Sequence, residues 1–195
     1  MNKVILSVSA IVAFILFMAA PAGMSFAADE AAPSSGDKKI LVAYFSLTGN
    51  TREVAGQIHK LVGGDIFEIR SIKPYPTEYN VVVKVAKKEI SDGYKPELLT
   101  KVDNIGSYDV IYIGYPVWWG TFPPPVKTFL SKYDLSGKTV VPFCTHGGGG
   151  PGHSFADVSE LCPRSTVLDS FETLGNRAKD AQGEVSEWLR EIGRI

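Results

Sequence analysis

Strand-length apolar runs alternate with helix-spaced apolar patterns along almost the whole chain, and this constrains the fold more than any other feature. Residues 39–45 (KILVAYF) are apolar without alternation, as expected of a strand buried on both faces. Val54, Ala55, Ile58, Leu61 and Val62 follow at helical spacing, and Gly63-Gly64 ends that helix. Asn50 and Glu53 stand at capping-box spacing before it. Residues 66–69 read as a second strand, and 71–78, with two prolines, as a loop. Tyr79, Val82, Val83, Ala86 and Ile90 then share one helical face. Residues 109–114 (DVIYIG) form a third strand. Pro123-Pro124-Pro125 opens a helix with an expected buried stripe of Val126, Phe129, Leu130 and Tyr133. Proline suits a helix start because it lacks only an N–H that would have no partner there. Residues 138–144 (KTVVPFC) form a fourth strand, with Pro142 discordant. A short helix around 154–161, a weak fifth strand at 166–168, and a last helix marked by Val185, Trp188, Leu189 and Ile192 complete the pattern.

Such alternation implies parallel βαβ units with right-handed crossovers. The expected fold is α/β: a doubly wound, five-stranded parallel sheet with helices on both faces. Sheets of this kind bind ligands outside the carboxyl ends of their strands. Function is therefore expected in the segments after the first, third and fourth strands.

The first residues read differently. Lys3 precedes an apolar run over residues 4–20, and Ser25-Phe26-Ala27 places small side chains where a signal peptidase cuts. Residues 1–27 are expected to be a secretory signal peptide, with an uncleaved anchor as the alternative, 28–37 a flexible linker, and 38–195 one domain. The expected location is outside the cytoplasm, periplasmic or extracellular. A leader containing only Lys3 leaves 19 basic against 21 acidic residues, with no basic block. This near-neutral balance gives no electrostatic case for nucleic acid or, once the leader is cleaved, for a membrane surface. The only cysteines are Cys144 and Cys162, with no C-x-x-C pair and no His/Cys metal spacing, so no metal is expected. An intervening helix of about eight residues spans about 12 Å, against the roughly 7 Å limit between disulfide-bonded Cα atoms. Two unpaired, buried thiols are expected.

The three loops at the carboxyl edge are unusual in composition. Ser46-Leu47-Thr48-Gly49-Asn50-Thr51 offers hydroxyls, an amide and a glycine at a helix N-terminus, which suits an anion such as phosphate. The loop has no lysine and no Walker pattern, which argues against ATP or GTP. Helix capping alone would also use these residue types. Residues 115–122 (YPVWWGTF) carry adjacent tryptophans, whose exposure is costly unless a flat aromatic ligand covers them or they fill core gaps. Residues 144–152 (CTHGGGGPG) carry four successive glycines, which let backbone approach a ligand closely or act as a hinge. His146 has no acidic partner nearby in sequence, so no catalytic dyad is read and no catalytic residue is assigned.

The sequence F-S-L-T-G-N-T closely resembles the phosphate loop of flavodoxins. Together with G-Y-P-V-W-W-G, P-P-P-V-K-T-F-L and G-K-T-V-V-P-F-C-T-H-G-G-G-G, it is similar to a flavodoxin-like family distinct from the small carriers of that name. The resemblance covers residues 39–195. It implies strand order 2-1-3-4-5 with FMN at the switch point. By that resemblance Ser46, Thr48, Gly49, Asn50 and Thr51 hold the phosphate. Pro116, Val117, Trp118, Trp119 and Gly120 line the isoalloxazine, with either tryptophan against the ring. Thr145, His146, Gly147, Gly148 and Gly149 approach its pyrimidine edge. The chain departs from many flavodoxins in its weak charge and its export.

The expected function is electron transfer through FMN, with a redox partner protein or small electron acceptor. The alternatives are an FMN-dependent quinone or nitro-compound reductase, and a binding module without flavin. An open ring face would favour the reductase, and one closed by both tryptophans the carrier. A low potential is expected, because apolar stacking disfavours an uncompensated charge on the ring, unless His146 sits beside it as a cation.

Overall fold

Apolar strands without alternation require cover on both faces, and the chain supplies it. The structure, a computed structural model, describes residues 38–195; the expected signal peptide and linker lie outside the described residues. The elements run β1 (Ile40–Tyr44), α1 (Asn50–Val62), β2 (Asp65–Glu68), α2 (Tyr79–Ser91), β3 (Val110–Pro116), α3 (Pro124–Lys132), β4 (Thr139–His146), α4 (Ser154–Leu161), β5 (Thr166–Val167), β6 (Phe171–Leu174) and α5 (Gln182–Glu191). The sheet is parallel, in the order β2-β1-β3-β4-β5 that the family resemblance implied. No described helix is long and apolar enough to cross a membrane.

Successive side chains of a strand point to opposite faces, so each central strand feeds two cores. Leu41, Ile111, Ile113 and Val140 meet α3 and α4 through Val126, Phe129, Leu130 and Val158. Val42, Tyr112, Val141 and Phe143 meet α1 and α5 through Val54, Ile58, Val185 and Leu189. Each such fully buried side chain contributes about 1.5–3 kcal/mol relative to exposure.

Several expectations are corrected. A sixth strand, β6, lies beyond the five expected; it pairs with β4 past the two-residue β5. This break explains Pro142. The N–H groups of Thr166 and Leu168 bond the carbonyls of Lys138 and Val140, so even-numbered residues of β4 face the edge. Pro142 falls between the stretches paired with β5 and with β6, where its missing N–H disrupts no recorded rung. The capping box does not form: α1 begins after Gly49, whose φ is 95°, without a side-chain cap. Tyr133 is half-buried just beyond α3, where its hydroxyl accepts the Val102 N–H at 2.8 Å. Cys144 and Cys162, by contrast, are free and buried as expected, and burial pushes their thiols up to about 12 and about 11.

The apolar face of α2 behaves unexpectedly. Val82 and Ala86 are buried but join neither main core, and Tyr79 is 76% exposed. That face looks onto a cavity at the carboxyl edge of the sheet.

Candidate functional site

The loop after β1 is shaped by one hydroxyl. Ser46 Oγ accepts the N–H groups of Gly49 and Arg52, at 3.1 and 3.3 Å. Gly49 supplies the left-handed turn that this requires. Among the described residues, the N–H groups of Asn50 and Thr51 have no recorded acceptor. They are the orphan donors of a helix start, and the side chains of Thr48 and Asn50 stand at the cavity beside them.

Arg52, in the first turn of α1, is held in an ion pair rather than offered to this cradle. Arg52 and Arg70 both pair with Glu68, each at 2.5 Å. Burial alone would raise the Glu68 carboxyl, but the two guanidiniums outweigh it and hold the group below its usual range. A depressed folded pKa stabilises the fold above the unfolded carboxyl pKa and loses that contribution as pH falls through the folded one. Glu68→Gln should therefore cost about 1 kcal/mol at pH 7, because both arginines are half-exposed, and the difference should vanish in acid. Urea midpoints of both proteins across pH 3–7 would check this; a constant difference would contradict it.

The loop after β4 sits against the first. Thr145 is buried, and its hydroxyl meets that of Thr51 at 2.9 Å. These two expected ligand residues therefore tie the loops together from beneath. His146 Nδ1 accepts the Gly148 N–H at 3.1 Å, and its Nε2 lies 3.7 Å from Glu172 on β6. Side chains added at Gly147, Gly148 or Gly149 would meet nothing, so this backbone is open to approach.

In the loop after β3, adjacent tryptophans take opposite fates. Trp118 stands edge-on to Phe45 and Tyr75, at 5.6 and 5.0 Å between centroids. Trp119 is 52% exposed. Its indole N–H donates to the Val83 carbonyl of α2, and the Lys87 ammonium lies 4.7 Å from the ring centroid. Trp118 and Thr121 exchange backbone hydrogen bonds of 2.8 and 3.0 Å around a two-residue turn. Both turn residues have positive φ, 52° at Trp119 and 83° at Gly120, and Trp119 is the only non-glycine so held among the described residues. Such a conformation costs a bulky side chain about 1–3 kcal/mol and persists only where surroundings enforce it.

The cavity bounded by these loops has a volume of about 700 Å³, within the ~300–1,000 Å³ of small-molecule sites. Of the expected residues, Thr48, Asn50, Pro116, Val117, Trp118 and Trp119 line it, as do Thr145, His146 and Gly147. Ser46, Gly49, Thr51, Gly120, Gly148 and Gly149 are not on its wall. Sequence reasoning missed Leu47, the α2 face from Tyr79 to Ala86, and the segment Leu174-Gly175-Asn176. The α2 face had a signal, its helical period, but that period cannot distinguish a core from a cavity wall. Gly175 had none; a Cβ there would lie 2.6 Å from Asn50 Nδ2.

The flavodoxin family model matches residues 39–192. No protein of curated function matches. A provisionally assigned flavoprotein of Bacteroides eggerthii is 37% identical, with 79% of this chain and 97% of that one covered and a TM-score of 0.69. Another, from Bacteroides uniformis, is 30% identical, with 78% and 98% covered and a TM-score of 0.71. A flavoprotein of Lactobacillus acidophilus, solved in complex with FMN, shares the fold at 24% identity, with 77% and 98% covered and a TM-score of 0.63.

Proposed function

The chain belongs to the flavodoxin family, and from this premise we propose that it binds one FMN and transfers electrons through it, outside the cytoplasm. The observation that carries the reading is one cavity combining neutral, unpaired phosphate donors with an exposed indole. The residues fit the group. Two orphan N–H groups with Thr48 and Asn50 suit a phosphomonoester without a competing lysine. Ser46 shapes that cradle, and Thr51 and Thr145 brace it. The apolar α2 face and Trp119 suit a flat ring, and the open glycine backbone suits its polar edge.

FMN, when bound, would supply the capacity to take up and release electrons; the protein would bind it, orient it and tune its electrostatics. The partner is a redox protein or a small electron acceptor, and the external location rests on the leader read in residues 1–27.

One observation favours a second reading, an FMN-dependent reductase of quinones or nitro compounds. Trp118 is engaged in the aromatic cluster rather than paired with Trp119 across the cavity, and Tyr79 leaves the α2 rim exposed.

The visible spectrum of the purified protein, titrated with FMN, tests the cofactor. Stoichiometric uptake with flavin bands is expected, and Asn50→Leu should weaken it about ten- to a hundredfold, the loss of one hydrogen bond to a charged group. A colourless protein that ignores FMN would overturn the reading. Turnover of quinones by the loaded protein would decide between carrier and reductase.

A further inference from the structure

The strained turn at Trp119-Gly120 is held from behind. Asp157 of α4 accepts the Thr121 hydroxyl and stands 2.7 Å from His153 Nδ1 with the same oxygen. The backbone N–H of His153 donates to the Gly120 carbonyl at 2.8 Å, a bond that does not depend on the ring. The His153 ring also packs on Gly120, where an added Cβ would meet Cδ2 and Nε2 at 3.5 Å. These contacts lie around a separate cavity of about 270 Å³, also lined by Lys127 and Glu160. The cavity accepting FMN includes neither His153 nor Asp157.

Trp119 sits at φ 52° although an indole gains nothing locally from that conformation. Its front contacts, the Val83 carbonyl and the Lys87 ammonium, involve only the ring. The backbone is fixed by the Trp118–Thr121 pair and by the groups behind it. We propose that Thr121, His153 and Asp157 form a clamp that holds the turn in its strained conformation, making His153 and Asp157 positioning residues for the flavin. The proposal rests on the FMN reading for its function, but not for its geometry. A carboxylate accepting from both a turn hydroxyl and an imidazole couples α4 to the backbone that presents Trp119. If either bond is lost, the turn can relax and the indole face turns with it.

The test has two arms. In the FMN-free protein, amide hydrogen exchange of Thr121, whose N–H closes the turn, should accelerate at least tenfold in Asp157→Ala and His153→Ala. In the FMN-loaded protein, the same variants should weaken binding about tenfold and shift the midpoint potential. His153→Asn, whose amide N–H can replace Nδ1–H, should return all three readouts to within about twofold of the parent or close to its potential. Thr121→Val should reproduce the exchange effect without touching the histidine. Thermal melts would confirm that these variants remain folded.

Unchanged Thr121 exchange in Asp157→Ala would overturn the clamp. Faster exchange with unchanged affinity and potential would overturn the positioning role. Failure of His153→Asn to rescue would overturn the bond to Asp157 as the agent. If the parent protein takes up no FMN while exchange still accelerates, the cofactor reading falls with the positioning role, and the clamp stands as a structural device.

Discussion

Gly114→Ala should destabilise the domain by about 3 kcal/mol, lowering the urea midpoint without changing the slope. Gly114 lies in the central strand β3, opposite Phe143 of β4 and Tyr44 of β1. A Cβ there would stand 2.1 Å from Phe143 Cζ and 2.3 Å from Cε2, far inside van der Waals contact. The ring has nowhere to go, since Phe143 is fully buried in the core shared with α1 and α5. Overpacking of this kind costs ~1–3 kcal/mol, and an obstructed aromatic ring belongs at the upper end. The pair should be coupled with opposite sign. Phe143→Leu alone opens space and is destabilising, while Gly114→Ala with Phe143→Leu should lose at least about 1 kcal/mol less than the sum. Additive losses would mean that the ring does not cross the glycine as the structure has it.

How much was legible depends on what each pattern reports. β1, β3 and β4 announced themselves because strands covered on both faces are apolar through their middles without alternation. Pro142 was the right anomaly to notice, but its explanation lies in the break between β5 and β6. β6 itself spans four residues and follows β5 after a gap of only three, too little for a period to register. Asn50 and Glu53 matched a capping pattern, yet Ser46 and the left-handed Gly49 determined the helix start instead. Local chemistry proposes caps, and the path of the incoming chain selects among them.

The site was legible as three loops and illegible in its depth. Periodicity records which side chains avoid water, and a ligand can provide that cover as well as a core. Tyr79 and Val82 share one helical face by their period, and that face lines the cavity. The Trp118-Trp119 dipeptide could not say which indole turns inward; the positive φ at Trp119 decides that. His153 and Asp157 stood four residues apart in plain view. Their meaning emerged only when α4 was packed behind a turn more than thirty residues earlier.

Gly152→Ala should have the largest effect on that turn. Gly152 has φ 59°, which costs an alanine about 1–2 kcal/mol. Its Cβ would also lie 2.3 Å from the Gly120 carbonyl oxygen and 2.6 Å from the Gly120 Cα. Both obstacles are backbone, so no rotamer can relieve them; either the turn retracts or the segment leading into α4 does. Each retreat strains the bond from the His153 backbone N–H to the Gly120 carbonyl, worth about 1 kcal/mol. The expected loss is about 2–4 kcal/mol of stability, together with FMN affinity reduced ten- to a hundredfold. Gly56→Ala is the matching control. Gly56 lies within α1, where an added Cβ meets nothing, so alanine should raise stability by up to about 1 kcal/mol and leave FMN binding unchanged. The two quantities separate the fold from the site. Lost stability with retained FMN affinity would show that the close approach of Gly152 to Gly120 supports the sheet edge alone. Loss of both, with intact binding in Gly56→Ala, would show that affinity follows the turn's position rather than global stability. Trp119 would then act at the site through the backbone that holds it, not through the exposure of its ring alone.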